Sequence, residues 1–547
     1  MPKLQLQQIK RKRGRPAKNG AKYINGHSYL SKDGLGFELP VKAVKRDGRI
    51  VDFDAIKIEI ALGKCFKDLN KQPQTSLQDL TRQVVSAVAG KYTQPTVEQI
   101  QDIVEIVLQA AGEFEAAKHY ILYRAEHAKL REERPIPVEV KAAFAESDQF
   151  FPTQLQKFQF FDKYSRFNYD LGRRETWVET VDRAVSFLHE LAGEKLEAEE
   201  YEKMRKMILE MKATPSMRLL ATAGAAARRQ NVSVYNCAYL GADSIDAFCE
   251  AMLISMSGCG VGFSVEGKHV EKLPRVKRQT SSLPLTHVIA DSTEGWVQAI
   301  RMGMSLWFDG ADVKFDYSLI MPAGAILKTK GGRASGPEPL KTLLDFARAR
   351  ILARQGSFLR PIDAHDLMCM VGNAAVAGGS RRTAMISLFD WDDNEMRTAK
   401  NGDFERENWQ RWNANNSVVL PERGLTQQEF MRLMLEMFDS ERGEPGLFNR
   451  MGAVKFRPER RKADDFGTNP CGEIILRPNQ FCNLSIAVAR NGDTYEDMKE
   501  KVEMAAILGT VQSLATNFPG LRPIWKQNCE EERLLGVDIT GQMDCPV

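Results

Sequence analysis

The chain has 547 residues, 43% of them hydrophobic and 27% charged, ordinary proportions for a soluble globular protein with room for several domains. A net charge of +4 is too small at this length to imply nucleic-acid binding by the whole chain, and no apolar run approaches the roughly 18 residues of a membrane span. Nine cysteines, odd in number and irregularly spaced, argue against a secreted disulfide framework and for the reducing cytoplasm.

Residues 1–40 are polar and carry Lys10-Arg11-Lys12-Arg13-Gly14-Arg15-Pro16-Ala17-Lys18, which predicts a disordered basic arm. Gly14-Arg15-Pro16 between basic residues resembles an AT-hook and implies weak DNA contact through the minor groove. A solvated tail is the plainer alternative. Residues 41–132 form a separate α-rich unit. Asp47-Gly48 predicts a hairpin turn. Phe53, Ile56, Ile60 and Ala61 then show helical spacing. Thr96 with Gln99 makes a capping box ahead of an apolar stripe of Ile100, Ile103, Val107, Leu108 and Ala111. A last helix through Ala116–Arg124 ends before Pro135. The pattern resembles an ATP-cone, a nucleotide-binding regulatory domain. That resemblance implies ATP and dNTP as effectors, with Lys45, Lys57 and Thr96 as adenine-nucleotide contacts. Val51 stands where a polar group is expected.

Residues 133–212 read as a helical lead-in with aromatic faces over Phe158–Tyr169 and Val178–Leu191. The main α/β unit spans 213–547. It opens on Thr214-Pro215-Ser216-Met217-Arg218. The alternation of Val232 and Val234 predicts a strand ending at Asn236-Cys237. Ser257-Gly258-Cys259-Gly260-Val261-Gly262-Phe263-Ser264 reads as a Gly-rich turn without the Lys-Ser/Thr of a P-loop. Residues 265–330 form an insertion with a helix through Val297, Ile300, Met304 and Trp307. Two further glycine strings follow, Gly331–Pro337 and Ala377–Met385, the latter holding Gly379, Ser380, Arg381 and Arg382. Gly443–Phe448 reads as a turn, and a helix is expected around Asp497–Leu514.

Between those last two lies Thr468-Asn469-Pro470-Cys471-Gly472-Glu473, with Cys482-Asn483-Leu484-Ser485 after it. Pro470 and Gly472 weaken any helix here, so extended backbone is expected. An extended segment puts Asn469, Cys471 and Glu473 on one face: an amide, a thiol and a carboxylate. Arg477-Pro478-Asn479-Gln480 carries turn chemistry that would bring Cys482 back toward Cys471. Each cysteine alone reads as a small buried hydrophobe. A zinc site lacks its Cys-x-x-Cys pair and a nearby His, and no metal site is expected.

Asn-Pro-Cys-Gly-Glu followed after eleven residues by Cys-Asn-Leu-Ser resembles the finger loop of ribonucleotide reductases, in the form of the adenosylcobalamin-dependent class II. The insertion resembles that of the monomeric ribonucleoside-triphosphate enzymes, where it carries the specificity effector. The resemblance implies an α/β fold, a ten-stranded barrel left incomplete in this chain and preceded by the ATP-cone. It makes Cys471 the thiyl radical, Glu473 the base on the 3′ hydroxyl, and Asn469 a hold on the sugar. Cys237 and Cys482 become the dithiol that reduces the 2′ carbon. Ser216, Asn236, Gly260 and Gly262 would face the substrate. Gly379, Ser380, Arg381 and Arg382 would form the substrate-to-effector relay loop.

The implied cofactor is adenosylcobalamin, the implied partners are a ribonucleotide and a thioredoxin-type reductant, and no membrane is involved. Leu535–Pro546 matches a strand and turn inside the family barrel. The expectation is therefore an N-terminal piece of a split reductase that needs a completing chain. The alternatives are a class I-type large subunit acting on diphosphates with a radical-generating partner, and a non-catalytic nucleotide-sensing fragment.

Overall fold

A computed structural model describes residues 23–24, 27–28, 40–45, 50–132, 138–280, 284–325, 334–377 and 383–547. The backbone divides into two compact units, residues 1–137 and 138–547. The basic run at 10–18 lies outside the described residues. Within the expected arm, Tyr23–Ile24 and His27–Ser28 pair as short antiparallel strands.

In the first unit β1 (Lys42–Val44) and β2 (Ile50–Asp52) pair antiparallel, Ala43 opposite Val51. The hairpin is thus present, while its Asp47-Gly48 turn lies outside the described residues. Four helices follow: α1 (Ile56–Asp68), α2 (Leu77–Lys91), α3 (Val97–Ala110) and α4 (Phe114–Glu132). Both bonds of the Thr96–Gln99 capping box form at the start of α3. The buried face of α1 corrects the expected one. Ile58, Leu62, Cys65 and Phe66 are inside, and Ile60 is exposed. The phase is set by buried Ala55 at the helix N-cap; Phe53 precedes the helix and cannot report its phase. These side chains share one core with Leu80, Val84, Val88 and Leu108.

The lead-in helices α5 (Gln154–Lys163), α6 (Trp177–Ala192) and α7 (Ala198–Leu209) belong to the second unit. Phe160, Trp177, Val181 and Leu188 lie in the same core as the strands that follow. That core is built on a six-stranded sheet and a three-stranded one. The six are β4 (Cys237–Gly241), β5 (Gly260–Ser264), β6 (Met385–Phe389), β7 (Ala414–Val419), β8 (Gly446–Phe448) and β11 (Gln480–Phe481), in the spatial order β8-β7-β6-β5-β4-β11. All neighbours run parallel except β11, which is antiparallel to β4. Every residue of β5 and β6 is buried, as parallel strands covered on both faces require. The covering helices α8 (Ile245–Met256), α9 (Thr293–Asp309), α10 (Glu338–Leu352) and α11 (Pro361–Ala377) pack against one another.

The smaller sheet has the order β13-β12-β3: Gly536–Thr540, Leu484–Val488 and Ala213–Thr214, with β12 parallel to β13 and antiparallel to β3. Helices α12 (Tyr495–Gln512) and α13 (Pro523–Glu532) lie between its strands in sequence. Among the described residues the sheets are small and do not close into a barrel.

Three local readings also change. Asn231–Val234 is a 3-10 turn, so Cys237 opens a strand instead of ending one. The Gly-rich turn is mostly strand β5. Residues 446–448 of the expected turn at 443–448 form edge strand β8. In each case pairing with a neighbouring strand, or its lack, overrode local residue preference.

Candidate functional site

The segment that returns from β8 toward the sheet folds as a small hairpin. Its strands are β9 (Gly467–Thr468) and β10 (Ile475–Leu476), paired antiparallel with Thr468 opposite Ile475. Its tip corrects the extended backbone expected from the sequence. The Gly472 amide donates to the Asn469 carbonyl at 3.0 Å, closing a four-residue turn. Asn at the first position, Pro at the second and Gly at the fourth are the favoured residues of a type I turn. Gly472 sits at φ +86°, a conformation costly for any residue with a Cβ.

The turn still brings the amide and the acid together. Asn469 Nδ2 donates to Glu473 Oε1 at 2.7 Å, while Asn469 Oδ1 accepts from the Ile474 amide at 2.9 Å. Asn469 is buried, whereas Cys471 and Glu473 are exposed at the tip. Cys471 is raised above the ordinary thiol pKa, first by partial burial and then by the charges of Glu473 and Cys237.

Past the hairpin, β11 pairs with β4, Gln480 opposite Tyr239 and Phe481 opposite Ala238. That register carries Cys482 onto Cys237. The Cys482 amide donates to the Cys237 carbonyl at 2.9 Å, and the Cys237 amide donates to Cys482 Sγ at 3.0 Å. The Cys237 thiol beside it, with the burial of Cys482, lifts the Cys482 pKa well above the usual value. Among the described residues no disulfide forms, and all nine cysteines are thiols.

The two strand glycines pack directly beneath the hairpin. A Cβ on Gly260 would meet Pro470 Cγ at 3.1 Å and Cys237 Sγ at 3.5 Å; one on Gly262 would lie 2.0 Å from the Thr468 carbonyl oxygen. At Gly262 the close backbone expected from a ligand is this chain's own.

Ser216 is buried and inward-facing. Its hydroxyl donates to the Val234 carbonyl at 2.8 Å and accepts from the Leu219 amide at 3.0 Å. Asn236, half-buried beside Cys237, has a carboxamide oxygen with no hydrogen-bond partner among the described residues. Gly379, Ser380, Arg381 and Arg382 lie outside the described residues. In the first unit Val44, next to Lys45, bridges to Thr96. Lys57 is exposed and 3.5 Å from Asp54.

The sequence reading missed the charged residues that brace the hairpin. Arg450 forks onto buried Glu266 through two contacts of 2.6 Å, and its Nε donates to the Phe466 carbonyl at 2.6 Å. Burial pushes the Glu266 carboxyl up, but the guanidinium outweighs it and holds the pKa at about 2. Arg461 donates to the Ile475 carbonyl at 3.0 Å and to Glu532 Oε2 at 3.0 Å. The only signal in the sequence was an acid two residues past a buried strand, Glu266 after Ser264.

Comparison with known proteins agrees with this geometry. Residues 41–129 match the family described as ATP cone domain, and residues 139–225 match the ribonucleotide reductase alpha domain. A solved structure titled B-12 dependent (class II) ribonucleotide reductase superposes with a TM-score of 0.60 at 24% identity, covering 74% of this chain and 65% of that one. The fold is therefore that of a class II ribonucleotide reductase. The adenosylcobalamin-dependent ribonucleoside-triphosphate reductase of Euglena gracilis is 29% identical over 68% of this chain, and that of Lactobacillus leichmannii 28% over 70%. The chain is similar to these adenosylcobalamin-dependent reductases, with residues that match an ATP cone ahead of those that match the reductase alpha domain. It spans 53% of the length of the first and 60% of the second.

Proposed function

We propose that this chain supplies the part of a ribonucleotide reductase that reduces ribonucleoside triphosphates to 2′-deoxyribonucleoside triphosphates. One observation carries the reading: the Cys237 amide donates to the sulfur of Cys482, 245 residues away, below a turn that presents a third thiol and a carboxylate. A Cys471 thiyl takes the hydrogen atom from the ribose 3′ carbon. Glu473, steadied by Asn469, accepts the 3′ hydroxyl proton. Cys237 and Cys482 then supply two electrons and two protons. The 2′ hydroxyl leaves as water, hydrogen takes its place, and the thiols end as a disulfide. Glu473 gives the proton back to the 3′ oxygen, and Cys471 returns the hydrogen atom to the 3′ carbon and is a thiyl again.

Hydrogen-atom transfer needs S–H and not thiolate. The upward pKa shifts of Cys471 and Cys482 keep both in that form at neutral pH. Adenosylcobalamin, when bound, supplies an organic radical by homolysis of its cobalt–carbon bond. The chain fits such a group in one respect: the Cys471 thiol is exposed at the tip, so a cofactor can approach it without disturbing half-buried Cys237 and buried Cys482. Asn236 keeps an unused acceptor beside Cys237 for a substrate donor, and Gly260 and Gly262 keep the hairpin close to it. Ser216 contributes by shaping the backbone. The ATP-cone would bind ATP or dNTP near Lys45, Lys57 and Thr96, and the loop of Gly379, Ser380, Arg381 and Arg382 would relay effector identity. A thioredoxin-type reductant would reopen the disulfide, and the basic arm would add weak DNA contact.

The test combines the chain with the C-terminal remainder of the enzyme and scores deoxynucleotide with and without adenosylcobalamin. Product that requires both additions is expected. Product from residues 1–547 and cofactor alone would overturn the need for that remainder, and product without the cofactor would overturn the class.

A further inference from the structure

The hairpin that carries Cys471 and leads toward Cys482 is short, and its tip is exposed. Its strands β9 and β10 have two residues each, too few for a stable hairpin unaided. Two arginines, half-buried Arg450 and buried Arg461, supply the missing hold, one on each limb. On the outgoing limb Arg450 binds the Phe466 carbonyl while forked onto Glu266, which is 3% exposed. On the return limb Arg461, 8% exposed, binds the Ile475 carbonyl and Glu532.

Glu532 does more than pair with Arg461. Its Oε2 also accepts from Gln480 Nε2 at 2.8 Å. Gln480 is the β11 residue opposite Tyr239, two positions before Cys482. A continuous path of charged hydrogen bonds thus runs from Arg461 through Glu532 and Gln480 to the strand that seats Cys482 on Cys237. Asn528, one turn earlier on α13, adds bonds to the carbonyls of Pro478 at 2.9 Å and Asn479 at 3.2 Å.

We propose that Arg450 and Arg461 are positioning residues. By clamping the two limbs of the hairpin to Glu266 and Glu532 they set the register that places Cys482 against Cys237. This rests on the reductase reading for its purpose, but its geometry can be tested on the chain alone. Only an arginine has the fork to bind a carboxylate and a backbone carbonyl together; a lysine keeps the charge and loses the geometry.

The test uses the full 547-residue chain and the chemical oxidant diamide. Two thiols lose two electrons and two protons, a sulfur–sulfur bond forms, and the N=N bond of diamide is reduced to the hydrazine. Peptide mass spectrometry reads the rate at which the Cys237–Cys482 disulfide appears. Arg461→Lys keeps a cation opposite Glu532 and so should fold. The rate is expected to fall about tenfold, and exchange of the Cys482 amide proton to rise by a similar factor, with the melting transition little changed. Arg461→Met combined with Glu532→Gln leaves no unpaired buried charge and should slow the disulfide further.

Disulfide and amide-exchange rates within twofold of the parent chain in both variants would overturn the clamp. A parent chain that forms no such disulfide would overturn the clamp and the reductase reading together. A normal parent with unaffected variants would overturn only the clamp.

Discussion

Cys471, at the hairpin tip, and Cys482, just past the strand that follows the hairpin, meet opposite surroundings. Cys482 is fully buried, pinned by strand pairing, by the Cys237 amide and by the Arg461–Glu532–Gln480 path. Cys471 is exposed on a turn held by two backbone bonds, Gly472 to Asn469 and Asn469 to Ile474, and by the Asn469 side chain. The contrast separates two demands of the proposed chemistry. A reducing pair must meet at bonding distance and gains from rigid seating; a radical carrier must be reached from outside by a generator and a sugar.

The contrast can be broken hardest at the exposed end. Cys471→Ser should abolish deoxynucleotide formation by the completed enzyme, because an O–H bond is too strong to exchange hydrogen with a ribose carbon. Glu473→Gln keeps the hydrogen bond to Asn469 and loses the base, for an expected fall of about a hundredfold to ten-thousandfold in turnover. Steady-state assays check both; near-parental rates in either variant would remove the residue from the mechanism.

At the buried end the effects should appear in stability. Gly262→Ala would push a methyl into the Thr468 carbonyl, 2.0 Å from the Cβ position, at a cost of about 1–3 kcal/mol. Urea unfolding midpoints would show it. An unchanged midpoint would mean that the hairpin is not seated on β5.

The Glu266–Arg450 clamp makes a pH prediction. The folded pKa of Glu266 is depressed to about 2, so its stabilisation is present above the unfolded carboxylate pKa near 4 and is lost as pH falls toward 2. The loss should approach roughly 3 kcal/mol for this nearly buried group. Comparing acid unfolding of the parent with Glu266→Gln isolates it, since the variant should lack that part of the pH slope. The mildest expectation concerns Cys471 itself. With its pKa raised above that of a free thiol, iodoacetamide should modify it slowly at neutral pH and faster only in alkaline solution. Rapid alkylation at pH 7 would contradict the protonated form on which hydrogen-atom transfer depends.

How much of this was legible in the sequence depended on residue rarity. Cysteines in a fixed order with Asn, Pro, Gly and Glu around one of them form an improbable string, and the fold brings Cys237 and Cys482 together. The cone nucleotide contacts rest on Lys45, Lys57 and Thr96, common types on a surface, and there the structure adds only the bridge between Val44 and Thr96. Helices with capping boxes, such as those begun by Thr96 and Thr176, were readable from local chemistry. Strands were not. Val232 and Val234 alternate as a strand would, yet lie in a 3-10 turn, because no neighbouring strand pairs with them. The arginine clamps were invisible for a related reason: Arg450 and Glu266 are 184 residues apart, and only the sheet brings them together.

The central claim is that the Cys237 and Cys482 pair gives up its electrons to the sugar. The most direct measurement is a single turnover of the completed enzyme with adenosylcobalamin and a ribonucleoside triphosphate, in the absence of external reductant. Deoxynucleotide and a Cys237–Cys482 disulfide should appear in equal amounts. Deoxynucleotide formed while both thiols stay reduced would contradict it.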